Sequence, residues 1–309
     1  MLSLDAKELG YSALVQVVKS RTAEGFVPNT AASVNKARHS QPPVGSKILL
    51  EMFRKYKETW IVELLFDDLY DWNGWFETAR RLAPLNITCL GSEEGVMQDA
   101  RFESGLDNSP MYDDGTFGPN ATDFADNKMQ LYDVGMASMH TMDSRALATL
   151  ASAIGREKEA GVLRQRAETM ASLIEAHLWD ESSGIYVNRQ PNGRFNRHIA
   201  PTSFYAMQTN ASSAERVDTM MTGWMMNKEH FCVSPTGDMA GNDDACYWGL
   251  PSIERSDAAF PKLGCELVAV RMLQNMHSSI AYDACIVVRV VSPACRSVCR
   301  PPTWLSLTR

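Results

Sequence analysis

Two consecutive amphipathic helices are predicted by residues 142–180, which read MDSRALATLASAIGREKEAGVLRQRAETMASLIEAHLWD. Asp143 or Ser144 suits the N-cap of the first helix, and Gly155 suits the C′ position that ends it. Helices joined by so short a turn pack as antiparallel neighbours. The second helix carries apolar residues at three- and four-residue spacing, which places them on one face: Ala160, Leu163, Ala167, Met170 and Ile174.

The same helical period recurs along much of the chain. It is found in residues 47–57 (KILLEMFRKYK), 59–82, 202–209 and 212–225. Residues 185–197 (IYVNRQPNGRFNR) instead predict a β-hairpin that turns at Pro191-Asn192-Gly193. Repeated helical hairpins with few strands indicate an all-α fold, which either a helical toroid or an α-solenoid would satisfy.

The composition is that of a globular protein with a sizeable core. The chain has 309 residues, of which 45% are hydrophobic and 22% are charged. Its net charge of −7 argues against a nucleic-acid-binding surface, because phosphate contacts need clustered Lys and Arg. No apolar run is long enough to span a bilayer as a helix.

The sequence carries no sign of a metal or cofactor site. The six His and seven Cys lack metal-ligand spacing, and no Gly-rich phosphate loop is present, so we expect no metal and no cofactor. Residues 1–16 lack the basic start and unbroken apolar run of a secretory signal, which favours the cytoplasm. The ER lumen is the alternative if the natural N-terminus lies further upstream.

The composition changes abruptly at Gly264. Residues 265–309 contain no Lys, four of the seven Cys, five Arg and only two acids, so this tail has a net charge of +3. Residues 1–264 therefore carry −10. We predict a helical domain over residues 1–264 and an atypical tail over residues 265–309.

An acidic motif lies in residues 66–76, FDDLYDWNGWF. Asp67, Asp68 and Asp71 match DDxxD, in which helical spacing places the carboxylates on one face to hold Mg²⁺ and a diphosphate. That pattern resembles all-helical terpenoid synthases. No second metal motif accompanies it, and short acidic runs are common on solvated helix faces.

A second acidic segment is ESGLDNSPMYDDGTFGP, residues 103–119. By composition it is a loop, because Asp, Asn, Ser, Pro and Gly all favour turns. It also mixes carboxylates with aromatic residues, and a sugar site needs both: an acid to protonate the leaving oxygen and rings to stack on the sugar. Apart from Asp107, we interpret its acids as ordinary loop residues.

Two further segments place polar or aromatic side chains in rigid loops. ARHSQPPVGS (37–46) presents Gln41 just before a Pro-Pro pair, which fixes the backbone. NDDACYWGLPSIERSDAAFP (242–261) places Tyr247 and Trp248 in a loop bounded by Gly and Pro. Each alone is more typical of an ordinary loop or of core packing.

Together and in order, these segments resemble glycoside hydrolase family sixty-three, which includes processing α-glucosidase I and mannosylglycerate hydrolases. The resemblance covers about residues 5–264. It rests on GFVPN (25–29), HSQPPVGS (39–46), DLYDWNGWF (68–76), ESGLDNSPMYD (103–113), LYDVGMAS (131–138), HLWDESSGIY (177–186) and YWGLPSIERSDAAFP (247–261).

The resemblance implies an (α/α)6 barrel and inverting hydrolysis of an α-glycosidic bond in a carbohydrate substrate. The family's general acid falls on Asp107. In this context the DDLYD acids are expected to cap or pair rather than to bind magnesium. The positions that line the family's sugar pocket match Gln41, Trp72, Trp75, Tyr112, Tyr247 and Trp248.

The chain departs from the family pattern in two places. Met111-Tyr112-Asp113 stands where members often have Arg-Trp-Asp, so an aromatic is kept and a cation is lost. Nothing in residues 265–309 matches, and the general base Glu of the family has no counterpart there. We therefore expect a barrel incomplete at both ends, with its activity in doubt. A non-catalytic sugar-binding remnant is the third hypothesis.

Overall fold

The computed structural model describes residues 6–32, 35–36, 38–107, 109–112, 124–210, 212–233, 250–262, 268–271 and 286–289. Within these ranges the chain is mostly helical, which confirms the all-α class. The α-helices are α1 (Lys7–Lys19), α2 (Gly45–Tyr56), α3 (Trp60–Ala79), α4 (Met97–Phe102), α5 (Val134–Ala153), α6 (Glu157–His177) and α7 (Ala214–Met220). None of them is both long and apolar enough to cross a membrane.

Shorter helical turns and two-stranded sheets fill the connections. The turns are 3₁₀ helices at Pro110–Tyr112, Pro201–Thr209 and Phe260–Lys262 and a π-helical turn at Met221–Met225. The antiparallel strand pairs are β1 (Ala31–Ala32) with β2 (Asn35–Lys36), β3 (Arg81–Leu82) with β4 (Ile87–Thr88), β5 (Phe124–Ala125) with β6 (Lys128–Met129), β7 (Trp179–Asp180) with β8 (Ile185–Tyr186), and β9 (Val268–Arg271) with β10 (Ile286–Arg289).

The helical pair α5–α6 forms as the sequence predicts, except at its start. All five apolar residues predicted on one face of α6 are buried, and Gly155 adopts a φ of +76° just after α5. The prediction that Asp143 or Ser144 caps α5 is wrong. The helix begins at Val134, and the Asp133 carboxylate accepts a hydrogen bond from the Met136 amide at 2.7 Å.

The first turns of α5 contain buried polar residues, so the pattern of apolar residues does not reveal them. Ser138, His140 and Thr141 are each about 1% exposed and point into the protein instead of toward solvent. His140 illustrates the cost of such burial, since desolvation holds the pKa of its imidazole well below 6.5 and keeps the ring neutral. Its Nε2 lies 3.1 Å from the carbonyl oxygen of Asn73 on α3.

Asp143 instead joins three helices inside the core. Its carboxylate accepts hydrogen bonds from the Ser46 amide (2.8 Å) and hydroxyl (3.0 Å) at the start of α2. It also accepts one from the Asn73 side-chain amide at 2.8 Å on α3. This carboxylate therefore supplies the capping acceptor that α2 lacks locally, since no side chain of its own caps it.

The core forms two clusters that α5 and α6 share. One cluster unites α1, α2 and α3 with the Leu147 side of α5 and with Leu163 of α6. The other joins Met170 and Ile174 of α6 to β8, the Pro201–Thr209 helix and Leu250. The segment Leu250–Lys262 therefore packs, through Leu250, against elements that are distant from it in the sequence.

The hairpin predicted at residues 185–197 forms over residues 188–196, whereas Ile185 and Tyr186 pair with β7 instead. Arg189 and Phe195 form an antiparallel bridge, and Gly193 adopts a φ of +92° in the turn between them. The Gln190 amide donates to the Arg194 carbonyl at 2.8 Å, which closes the turn. Beyond Lys262, the described residues are β9 and β10, which pair with each other. The boundary at residue 264 stays a prediction.

Candidate active site around Asp107

Asp107 lies in the segment that connects α4 to the 3₁₀ turn Pro110–Tyr112. Its side chain is half-buried. Among the described residues, none donates a hydrogen bond to its carboxylate or forms an ion pair with it. The loop around Asp107 is nevertheless fixed on both sides, by Glu103 before it and by Tyr112 after it.

Glu103 is fully buried and forms a two-point ion pair with Arg80, which directly follows α3. The Arg80 Nε and Nη2 atoms donate to its two carboxylate oxygens at 2.8 and 2.9 Å. Two backbone amides complete its shell, from Ser40 at 2.9 Å and from Gly91 at 2.8 Å. The interpretation of Glu103 as an ordinary loop acid is wrong, because its carboxylate is buried and accepts hydrogen bonds from four donors.

Arg80 is equally buried and is held from several directions. It donates to Glu93 at 3.0 Å, and its guanidinium lies 4.3 Å from the centroid of the Trp75 ring. Burial alone would lower the pKa of Arg80, but the charge and hydrogen bonds of Glu103 and the charge of Glu93 together outweigh burial and raise that pKa. Gly91 must be glycine here, since a Cβ would lie 2.7 Å from the guanidinium.

The loop that contains Gln41 packs directly against the Asp107 loop. The His39 ring stacks on Phe102 with centroids 5.2 Å apart, and Gly105, with a φ of +71°, faces Pro42. The Gln41 side-chain amide donates to the Asn29 carbonyl at 2.7 Å. The segments 25–29, 39–46 and 103–107 therefore form one continuous wall.

Trp72 and Trp75 of α3 support this wall from behind. Trp72 is 3% exposed, and its indole N–H donates to the Ser40 hydroxyl at 2.9 Å. Trp75 is 7% exposed and packs on Phe26, with ring centroids 4.8 Å apart. The structure brings both rings next to the Gln41 loop, but with little of their faces open. Their role as sugar contacts stays a prediction.

Tyr112 is also buried and anchors the end of the loop to the start of α5. Its hydroxyl donates to the Asp133 carboxylate at 3.0 Å, and the Asn188 amide donates to the same oxygen at 3.2 Å. Burial, reinforced by the Asp133 charge, raises the pKa of Tyr112 well above 10. Burial likewise raises the pKa of Asp133. The Arg101 guanidinium lies 5.6 Å from the centroid of the Tyr112 ring.

Tyr247 and Trp248 lie outside the described residues. The segment that follows them does reach the candidate site. The Ser109 hydroxyl donates to the Ser252 carbonyl at 3.1 Å. From the hairpin, the Asn196 amide donates to the Met111 carbonyl at 2.8 Å.

The DDLYD acids on α3 pair with cations of the chain. Asp68 accepts from two basic side chains at 2.6 and 3.0 Å, and Asp71 lies 3.4 Å from one of them. Burial alone would raise the pKa of Asp68, but these two basic side chains outweigh it and lower that pKa. This pairing removes the observation on which the terpenoid synthase alternative rested. The pairs are Asp67 with Arg156, Asp68 with Lys19 and Arg21, and Asp71 with Arg21.

Arg80, Glu103 and Asp133 are the residues of the site that sequence reasoning missed. Asp133 had a usable signal, because an aspartate followed by a helix-compatible run is a typical N-cap. Arg80 had none, since nothing local distinguishes it from Arg81 beside it, which is less buried. In the described part of the chain, no group of three or more His, Cys, Asp or Glu is placed to hold a metal ion.

Solved structures with a similar fold include glycosidases. A GH63 mannosylglycerate hydrolase from Thermus thermophilus, in complex with glucose, is 16% identical with a TM-score of 0.62 over 83% of this chain and 70% of that chain. An uncharacterized conserved protein from the same organism is 17% identical with a TM-score of 0.60 over the same shares. Neutral trehalase Nth1 from Saccharomyces cerevisiae is 12% identical with a TM-score of 0.54, over 82% of this chain and 53% of that chain.

At these identities the likeness shows the fold, and it confirms the predicted helical toroid. No curated protein sequence matches the chain. A family model does: the mannosylglycerate hydrolase MGH1-like glycoside hydrolase domain matches residues 7–271. This match covers most of the chain and includes every segment described around Asp107. The chain therefore belongs to the MGH1-like glycoside hydrolase domain family.

Proposed function

We propose that this domain is an inverting α-glycoside hydrolase of oligosaccharides or small glycosides, with Asp107 as its general acid. The observation that carries the proposal is the contrast between two carboxylates of one loop. Glu103 is saturated by four donors, whereas the half-buried Asp107 is engaged by none of the described residues. A proton donor must keep its carboxyl group free for the substrate.

The chemistry needs a carboxylic acid beside the glycosidic oxygen. Asp107 would donate its proton to the leaving oxygen while water attacks the anomeric carbon from the opposite face, which inverts its configuration. Inversion requires a second carboxylate about 6.5–9.5 Å from the first, so that water fits between them. We assign no residue to this base, and we infer that turnover by the 309-residue chain is low or absent.

The surrounding residues would hold Asp107 in position for this step. The Arg80–Glu103 pair fixes the entry of the loop, and the Tyr112–Asp133 hydrogen bond fixes its exit. Positioning of this kind supplies part of the catalytic advantage, because a misplacement of about 1 Å can cost roughly a hundredfold in rate. Family membership and glycosidase neighbours support the reaction class, and mannosylglycerate is a candidate substrate.

The test is a turnover assay of the purified chain on α-glucosides, α-mannosides and mannosylglycerate, with binding measured by calorimetry. If hydrolysis is detected, Asp107→Asn should abolish it and leave sugar binding unchanged. The matched control is Asp126→Asn, which changes an exposed carboxylate at a φ of +52° that asparagine tolerates well. Hydrolysis that survives Asp107→Asn would contradict the role of Asp107.

A non-catalytic sugar-binding domain is the second candidate, favoured by the unassigned base. It predicts binding of a glycoside by calorimetry with no hydrolysis at any enzyme concentration. Added Mg²⁺ should change neither result, since the acids of the DDLYD motif already pair with basic side chains.

A further inference from the structure

A separate cavity of about 530 Å³ lies beside the hairpin at residues 185–197. Its volume is within the range of sites for small molecules. None of its described lining residues belongs to the predicted sugar pocket. Those residues are Arg194, Phe195, Arg197, His198 and Asp257.

The hairpin separates this cavity from the Asp107 loop. The Asn196 side chain is 4% exposed and reaches inward to the Met111 carbonyl. Adjacent residues of an extended strand point to opposite faces. Phe195 and Arg197, on either side of Asn196, therefore face away from Met111 and toward the cavity.

Two side chains of the cavity wall are held in place by neighbours. The Arg197 guanidinium donates to Asp180 at 2.7 Å and to the Ser182 hydroxyl at 3.0 Å. The Arg189 guanidinium lies 5.3 Å from the centroid of the Phe195 ring. Both residues thus offer the cavity a fixed surface instead of flexible side chains.

Three further residues, His198, Asp257 and Arg194, complete the wall of the cavity. The His198 Nδ1 atom lies 2.6 Å from an Asp257 carboxylate oxygen, so the pair holds the imidazole and the carboxylate together. Arg194 is exposed, and no residue in the described ranges pairs with its guanidinium. Arg194 is therefore the cation that a ligand in this cavity would neutralise.

We propose that this cavity is a second binding site, which takes a single sugar ring bearing a carboxylate. The planar guanidinium of Arg194 matches a carboxylate with two parallel hydrogen bonds. An aromatic ring such as Phe195 packs against the apolar face of a pyranose. The Asp257 carboxylate supplies acceptor oxygens for ring hydroxyls.

The proposal is tested by calorimetry of the 309-residue chain with glucuronate, which contains no glycosidic bond that could be hydrolysed. Glucuronate should bind about tenfold or more tightly than glucose, which lacks the carboxylate, and than acetate, which lacks the ring. Arg194→Gln should weaken glucuronate binding about tenfold and leave the weak glucose binding unchanged, and Arg194→Lys should give an intermediate loss because it keeps the charge alone.

Arg164→Gln is the matched control, since this arginine is half-exposed on α6 and outside the cavity. Unchanged circular dichroism for each variant shows that the fold is intact. The proposal is overturned if glucuronate does not bind, if glucose and glucuronate bind equally, or if Arg194→Gln and Arg164→Gln have the same effect. Failure of Asp107 as an acid leaves these binding results unaffected.

Discussion

Glu103 provides a direct test of how firmly the Asp107 loop is fixed. Glu103→Gln removes the fully buried carboxylate of the pair. The Arg80 guanidinium, which is 1% exposed, then keeps only the more exposed Glu93 as a counter-ion among the described residues. Breaking a buried ion pair in this way costs about 3–5 kcal/mol. Urea denaturation should detect the loss as a lower free energy of unfolding.

The control for this variant is Glu157→Gln, which removes a carboxylate that is 64% exposed and 3.4 Å from Arg164. An exposed pair of this kind contributes about 0–1 kcal/mol. Equal losses from the two variants would show that Glu103 does not hold the loop as proposed.

Asp143 makes stability depend on pH. Burial raises the pKa of its carboxyl to about 6, above the 3.8 of an unfolded aspartate. Between about pH 4 and 6 the folded chain keeps a proton that the unfolded chain has released. The contribution of Asp143 to stability is therefore full below about pH 4 and is lost as the pH rises through 6.

The measurement compares free energies of unfolding of the wild type and Asp143→Asn from pH 4 to pH 7. As the pH rises, the wild type should lose up to about 3 kcal/mol of stability relative to Asp143→Asn. The difference between the two proteins should become constant above about pH 7. The rearranged hydrogen bonds of the asparagine add an offset that does not vary with pH. A difference that is flat across this range would contradict the assigned pKa.

At the scale of elements, the N-cap residues of α5 and α7 differ in the number of other groups that they bind. Asp133 caps α5 and also accepts from Tyr112 and Asn188 inside the core. Ser213 caps α7 near the surface, where its hydroxyl accepts from the Arg216 amide at 3.2 Å. The loss of a cap alone costs about 1 kcal/mol.

Asp133→Ala should therefore cost about 3 kcal/mol or more, since it also leaves buried polar partners unsatisfied. Ser213→Ala should cost about 1 kcal/mol. Both values come from thermal or urea unfolding. If the two losses were alike, the hydrogen bonds of Tyr112 and Asn188 to Asp133 would contribute little to the fold.

The helices follow from the sequence because their apolar faces are local patterns. Ala160, Leu163 and Met170 recur at helical spacing whatever surrounds them, and the structure buries all of them. Glu103 and Asp143 behave otherwise, because their burial depends on partners 23 and 97 residues away in the chain. No local pattern contains that information, so a loop acid and a helix cap were the natural but wrong interpretations.

At the scale of the whole molecule, the core predicts where the chain can be shortened. Both core clusters draw on the segment Leu250–Lys262, through Leu250 and Ile253. In the part of the chain that is described, the residues of both clusters all lie before residue 264. A chain of residues 1–264 should therefore unfold cooperatively, with a free energy within about 1 kcal/mol of the full chain.

The control is a chain of residues 1–249, which also removes the contacts of Ser252 with Ser109 and of Glu254 with His230. It should lose cooperative unfolding or several kcal/mol of stability. Circular dichroism during thermal unfolding distinguishes these outcomes. A collapse of the 1–264 chain would instead place the tail within the same folding unit.

The double anchorage of the Asp107 loop also determines how this domain can discriminate between substrates. A loop tied at Glu103 and at Tyr112 to buried, charge-assisted partners has little freedom to adapt its shape on binding. We therefore expect little induced fit at this wall, so that a sugar has to match its existing shape. Any closure over a bound ligand has to come from other segments of the chain.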